Sequence, residues 1–400
     1  MNFTIDGNVN YLPAATYGFL HANSSKIDID TDITALHPES HNFADGLKLL
    51  TEGSEYEDII AKAANIITGM DSKNIDSKAG DRDRLDNSDE DLAETLANYK
   101  KYANASTSCL VDSAIKAAGV KTSVLVAEAG VSVPDPVKVV INPGVSAVSD
   151  QVIYAREGAD IKVVEILRSD DKFAGLFGAR TRVYLEKGAK VELSVVQLLG
   201  RHTVHFNDYG FYEENDAKGR LTLLELGASR AFVGVRSDLA GFRADYQNDV
   251  GYLRRDDDFL DLNFVTNHIG KKTNCRMDTK GVLMDKSTKI YRGTIDFKEG
   301  AAGSVGNETE AALLMSPDTV NKTVPLILCH EENVEGNHGA TIGKIDDATL
   351  FYMLSRGMSE AAVKELMTRA RINTVINTLP DEESKKTARD YIKGVFGDEL

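Results

Sequence analysis

Arg156-Glu157-Gly158-Ala159-Asp160-Ile161-Lys162-Val163 is answered thirty residues later by Glu186-Lys187-Gly188-Ala189-Lys190-Val191-Glu192-Leu193. Two charged residues, then Gly-Ala, then apolar residues at every second position describe a tight corner opening onto a strand. Glycine reaches positive φ without a Cβ clash, alanine fits a crowded bend, and the period of two belongs to strands. The phrase returns at Lys298-Glu299-Gly300-Ala301. Around these corners, residues 122–127, 137–141, 161–167, 191–198, 221–226, 231–235 and 281–283 all read as short strands. More than 200 residues of this texture without alternating helices exclude a doubly wound sheet. Sandwich, barrel and β-helix remain. The recurring corner favours the parallel β-helix, whose coils repeat their turns and bury their inward faces against one another.

The flanks read differently. Residues 1–117 predict a mostly helical, polar region, with Leu47, Leu49, Leu50, Ile59, Ile60, Ala63, Ile66 and Ile67 near helical spacing and Gly53 as a break. Residues 73–91 predict a solvated loop, and Ser88 with Asp89, Glu90 and Asp91 caps a helix through Leu92, Leu96 and Tyr99. Residues 118–345 form the β-helix core. Residues 346–400 form a small helical domain in which Val363, Leu366, Met367 and Ala370 follow i, i+3, i+4, i+7. Ser359 is its N-cap, Gly357 ends the preceding helix, and Pro380 opens a last helix reaching Tyr391, Ile392, Val395 and Phe396. The expected class is mainly β, a parallel β-helix core flanked by α-helical N-terminal and C-terminal domains.

Four hundred residues exceed one compact core, so two or three units are expected. Sixty-two acidic against 46 basic residues give a net charge of −16, the opposite of a nucleic-acid surface. No apolar run approaches the roughly 18 residues of a membrane span, and residues 1–31 lack the basic-then-apolar order of a secretion signal. A cytoplasmic location with no membrane partner is expected. Cys109, Cys275 and Cys329 are odd in number, far apart and form no C-x-x-C pair. They predict a reduced compartment and no self-contained zinc or cluster cage.

Gly-x-Ser-x-Gly, Gly-x-x-x-x-Gly-Lys-Ser/Thr and His-Glu-x-x-His are all missing. Gly300-Ala301-Ala302-Gly303-Ser304-Val305-Gly306 lacks the following lysine of a phosphate loop and reads as a coil corner. Asp256-Asp257-Asp258 reads as a solvated turn, although acidic clusters on β-helices also serve polysaccharide lyases and hydrolases, the rival reading from another class. Two soft or borderline donors remain: His338, and nine residues before it Cys329, which closes a strand-like run from Pro325. Imidazole and thiolate are the ligands that iron-sulfur chemistry uses. By residue type alone, packing accounts for such a cysteine and a turn for such a histidine.

Pro325-Leu326-Ile327, Asn333-Val334 and Asn337-His338-Gly339-Ala340-Thr341-Ile342-Gly343 resemble the closing coils of the SufB/SufD family of iron-sulfur cluster assembly scaffolds. Leu350-Phe351-Tyr352-Met353-Leu354-Ser355-Arg356-Gly357-Met358-Ser359-Glu360 resembles the family's tail motif, and Leu12-Pro13, Thr16-Tyr17 and Asn23 more weakly its N-terminal one. His338-Gly339-Ala340 is the SufD-like form where SufB-like chains read His-Glu-Ala, and residues 308–315 lack the SufB cluster-building cysteine. The resemblance implies a right-handed parallel β-helix between helical domains. It also implies a non-enzymatic scaffold that pairs with SufB through β-helix ends and docks the SufC ATPase through its C-terminal helices. A transient iron-sulfur cluster at the subunit interface is implied, with none firmly bound in isolation. His338 takes the position of the histidine that faces the SufB cysteine, and so is the implied metal ligand. Cys329, on no family cysteine position, is a second candidate for holding the cluster. Phe351, Leu354 and Arg356 are expected on the SufC-docking surface, with core packing the alternative for Phe351 and Leu354. A SufB-like homodimer of a two-component system is the alternative assembly.

Overall fold

The computed structural model describes residues 2–10, 12, 22, 24–41, 43–67 and 107–397. Two sheets wind together as one solenoid. The first carries strands Ala147–Ala155, Ala174–Leu185, His202–Glu213, Arg230–Leu239, Phe259–His268, Thr288–Phe297 and Val320–Cys329 in spatial order. The second carries Asp160–Arg168, Lys190–Leu198, Lys218–Glu225, Asp245–Arg254, Asn274–Leu283, Ser304–Leu314 and Val334–Lys344. Successive strands alternate between the sheets and pair in parallel with the strand two before, which is the expected parallel β-helix. One inward column runs Ile161, Val191, Gly219, Tyr246, Cys275, Gly306, Gly336. A coil therefore closes in 27 residues between Gly219 and Tyr246 and in 31 between Cys275 and Gly306. One buried apolar cluster fills the solenoid from Leu125 to Phe297.

The corners add a third ladder. Gly158 N donates to Lys187 O at 3.0 Å and Gly188 N to Asn215 O at 2.8 Å, each glycine with φ near 70°. In the next coils Asp216, Arg243 and Lys272 occupy the same place, with φ of 58°, 56° and 56°, and donate to Phe242, Lys271 and Ala302. The left-handed residue is thus a property of the corner, and glycine fills it only part of the time. Ala159 and Ala189 are fully buried behind their glycines, as the crowded bend requires. In the third copy of the phrase the donor is Gly303, which reaches Asn333 O, and Gly300 lies outside the column. The 300–306 stretch is a coil corner, as expected. The Asp256 turn is only partly solvated: Arg201 bridges Asp256 at 2.8 Å and Asp258 at 2.9 Å, and Asp258 is buried.

Helices flank the solenoid on both faces. Helix α1 (Ser54–Ile67) lays Tyr56, Ile59 and Ala63 on Val124, Val126, Val152 and Tyr154. Helix α2 (Thr107–Ala118) buries Leu110, Val111 and Ile115 against Leu176, Phe206 and Phe232 of the first sheet. At the other end of the chain come α3 (Asp347–Ser355), α4 (Glu360–Ile376) and α5 (Glu382–Phe396). Ser359 and Asp381 cap α4 and α5, each side chain accepting a backbone N–H three residues on. Ile372, Val375, Ile376 and Leu379 pack on Leu224, Leu253, Val282 and Leu313 of the second sheet. Each such burial contributes roughly 1.5–3 kcal/mol.

Before Gly53 the described residues are strands, which corrects the mostly helical expectation there. Asn2–Val9 pairs antiparallel with Ser25–Asp32, where Ile27 and Ile29 are buried and Lys26, Asp28 and Asp30 exposed. Leu47–Leu50 joins Ser123–Ala127 antiparallel, and Glu39–His41 joins Val137–Ile141. These strands cover the first rungs of both sheets, so an available ladder edge overrides the near-helical spacing of Leu47, Leu49 and Leu50. The expected loop at 73–91, the Ser88 cap, the helix through Leu92, Leu96 and Tyr99, and Pro13, Thr16, Tyr17 and Asn23 lie outside the described residues. The N-terminal unit is anchored by fully buried Arg292, which donates to Ala22 O, Ser25 Oγ and Asp261 Oδ1, while Asn10 Nδ2 donates to the same Asp261 oxygen at 3.0 Å.

The interior is not wholly apolar. Glu165 is buried among Val139, Val163 and Val195 and accepts from Gln151 Nε2 and Thr181 Oγ1, both at 3.1 Å. Burial pushes its carboxyl from 4.5 up to about 7, the two hydrogen bonds opposing. A raised carboxyl stabilises the fold fully below its unfolded value, and that contribution is lost as pH rises through the folded value. Glu165→Gln should therefore match the parent near pH 4 and exceed it at pH 8 by on the order of 3 kcal/mol. Chemical denaturation at the two pH values checks this; equal gains at both would disprove it.

Candidate functional site

The two ends of the solenoid differ. Among the described residues, Val320–Cys329 and Val334–Lys344 are the outermost strands of their sheets, each paired with a described strand on one side only. Inward positions that are buried in every earlier coil are here open to solvent. On Val334–Lys344 the residues on the inner side are Val334, Gly336, His338, Ala340 and Ile342, in register with Ser304, Gly306, Glu308, Glu310 and Ala312. His338 is exposed and Ile342 is 53% exposed.

Directly beneath lies a polar chamber. Lys289, Glu308 and Glu310 are all buried. Lys289 Nζ donates to Glu310, and Thr323 Oγ1 donates to the other oxygen of that carboxylate at 2.5 Å. Burial lowers the Lys289 ammonium below its usual range, with Glu310 opposing. Burial also pushes the Glu308 carboxyl up to about 7. Glu308 Oε2 and both amide atoms of Asn321, on the terminal strand of the first sheet, have no hydrogen-bond partner.

The remaining expected site residues sit at the same end. Cys329 is exposed at the close of its strand, on the other sheet from His338, and its Sγ donates to Glu331 O at 3.2 Å. Phe351 and Leu354 lie on α3, which buries no residue: Phe351 is 73% exposed, Tyr352 56% and Leu354 41%. Core packing therefore does not hold them. Arg356, just past the helix, places its guanidinium over the Tyr352 ring at 5.1 Å. Among the described residues no three His, Cys, Asp or Glu side chains converge as a metal cage.

Residues 139–371 match the family described as SUF system FeS cluster assembly, SufBD core domain. The chain belongs to the SufBD family. It is 27% identical over 248 residues to an iron-sulfur cluster assembly SufBD family protein of Pyrococcus horikoshii, covering 54% of this chain and 55% of the relative. It is 25% identical over 233 residues to the iron-sulfur cluster assembly protein SufD of Escherichia coli, covering 58% of this chain and 54% of the relative. The Bacillus subtilis SufD matches at 29% identity over 126 residues, 31% of this chain and 29% of the relative. The chain spans about half the length, or less, of these curated relatives.

Two features of this SufBD chain escape a reading of residue spacing. Glu308, Glu310 and Lys289 converge only because the coil closes between them. Likewise Cys275 Sγ lies 3.3 Å from His268 Nε2, while His268 Nδ1 meets Thr273 Oγ1 at 2.7 Å. Burial pushes the Cys275 thiol up to about 12 and His268 down to about 3, so the pair is neutral and no thiolate–imidazolium forms. Under native conditions iodoacetamide should label Cys329 and spare Cys275, which reacts only in denaturant. Peptide mass mapping reads this, and native labelling of Cys275 would show that the coil opens.

Proposed function

We propose that this chain is a non-catalytic, SufD-like scaffold subunit of an iron-sulfur cluster assembly complex in the cytoplasm. The observation that carries the reading is the uncovered terminal coil. Val334–Lys344, which no described strand pairs on its outer side, presents an edge of the kind that invites a strand from another chain. His338 stands on the inner face of that edge, and Val320 and Ile342 supply apolar surface at 42% and 53% exposure. A SufB-like subunit seated there brings its own ligands to His338, and a transient cluster forms across the interface as cargo. Cys329, on the neighbouring terminal strand, is the reserve donor for that cargo.

The second contact is α3. A nine-residue helix without a buried residue gains little tertiary support from the described part of its own chain. Phe351, Tyr352 and Leu354 therefore form an apolar face that fits a partner, with Arg356 at its rim. We assign this face to a SufC-type ATPase. It follows the terminal strand after only Ile345 and Asp346, so movement of a docked ATPase acts on the edge that carries His338.

His338→Ala should leave the complex with the SufB-like and SufC-type subunits assembled and lower the iron and sulfide reconstituted on it. Unchanged iron and sulfide content would remove His338 from the site. Phe351→Asp or Arg356→Glu should abolish co-purification of the ATPase while the SufB-like subunit stays bound. Ile342→Lys should do the reverse, loosening the SufB-like subunit alone. Retention of both partners by all three variants would overturn the assignment.

A further inference from the structure

We propose that Glu308 and His338 together form an iron(II) site at the mouth of the β-helix, the carboxylate below and the imidazole above; this rests on the reading that His338 handles iron. Register is the first support. The two residues are partners in a parallel ladder, so their side chains leave the same face of strands about 4.8 Å apart. One oxygen and one nitrogen at about 2.1 Å from a shared ion fit that separation.

The second support is the unequal state of the two acids. Glu310 is satisfied by Lys289 and Thr323. Glu308, 3% exposed, keeps an oxygen with no partner. A buried carboxylate oxygen without a donor is costly, and a cation entering from the His338 side supplies what it lacks.

Access is the third. Of the inner-face positions Val334, Gly336, His338, Ala340 and Ile342, His338 alone carries a donor atom. Its neighbours on that face are Gly336 and Ala340, too small to close the mouth. The donor set also selects the cargo. One carboxylate and one imidazole, without thiolate, suit a lone iron(II) better than sulfur-rich cluster fragments. Water or an opposing chain fills the other positions on the metal. On this reading the subunit contributes iron, and the thiolate that carries sulfur comes from across the interface.

Anaerobic titration of the purified full chain with Co(II), a coloured stand-in for iron(II), tests the site by calorimetry and visible absorption. The wild type should bind a single equivalent. Glu308→Gln and His338→Ala should each weaken binding by more than about tenfold. Glu335→Gln, on the outward face of the same strand, should change nothing. Glu308→Gln keeps the side chain's shape, and circular dichroism checks its fold; should it fail to fold, Glu308→Asp, which withdraws the oxygens by one methylene, must weaken binding instead. If the Glu308 variants bind as wild type while His338→Ala does not, Glu308 is no ligand and the role of His338 stands without it. If His338→Ala also binds as wild type, or the wild type takes up no cobalt, the site and the iron-handling reading of His338 fall together.

Discussion

Every inward side chain of the solenoid stands in a column, with a neighbour about 4.8 Å before it and another after it. That stacking satisfies the backbone and buries the core in one operation, and it stops at the last coil. At the first rungs the chain supplies its own cover, since Glu39–His41 and Leu47–Leu50 turn antiparallel and close the edge. At Val334–Lys344 nothing described does so. Repeat folds ordinarily blunt both ends. Here one end is blunted and the other kept bare, and the bare end collects His338, Ile342 and the polar chamber below them.

Burying polar groups along the axis costs stability unless each finds a partner. Some in the middle coils do: Glu165 has Gln151 and Thr181, and one oxygen of Glu225 has Gln197 at 2.9 Å with Arg254 beside it. His268 and Cys275 settle as a neutral pair. Buried polar atoms without a partner occur along the axis, from Asn248, Tyr252 and Asp261 in the middle coils to Glu308 and Asn321 at the last one.

Much of this was legible in the sequence, for local reasons. Gly158 and Gly188 announce their corners because only glycine takes positive φ freely, and period-two apolar runs announce the strands behind them. The corners at Asp216, Arg243 and Lys272 were invisible, since stacking hydrogen bonds hold ordinary residues in the same conformation. The strands before Gly53 are not legible because Leu47, Leu49 and Leu50 have a near-helical spacing, and their pairing exists only once the first coil does. The cap at Ser359 was readable, being a three-residue device, whereas the last helix, read as opened by Pro380, is capped by Asp381. His338 was visible through the motif around it, whereas its relation to Glu308 depends on a coil of thirty residues closing in register.

The anchoring of Ala22 and Ser25 by Arg292, with Asn10 held by the Asp261 that Arg292 also grips, joins points up to 270 residues apart in the chain. During synthesis Phe3, Val9, Ile27 and Ile29 find their seat on Val148, Leu176, Phe206 and Phe232 as those coils emerge, whereas Ala22 and Ser25 wait for the coil bearing Arg292, on the order of tens of seconds later at ribosomal rates. The solenoid itself grows coil by coil from neighbouring contacts and needs no such wait. A chain that stalls before residue 292 therefore keeps the packing of its first strands on the early coils but leaves Ala22 O and Ser25 Oγ without their buried guanidinium.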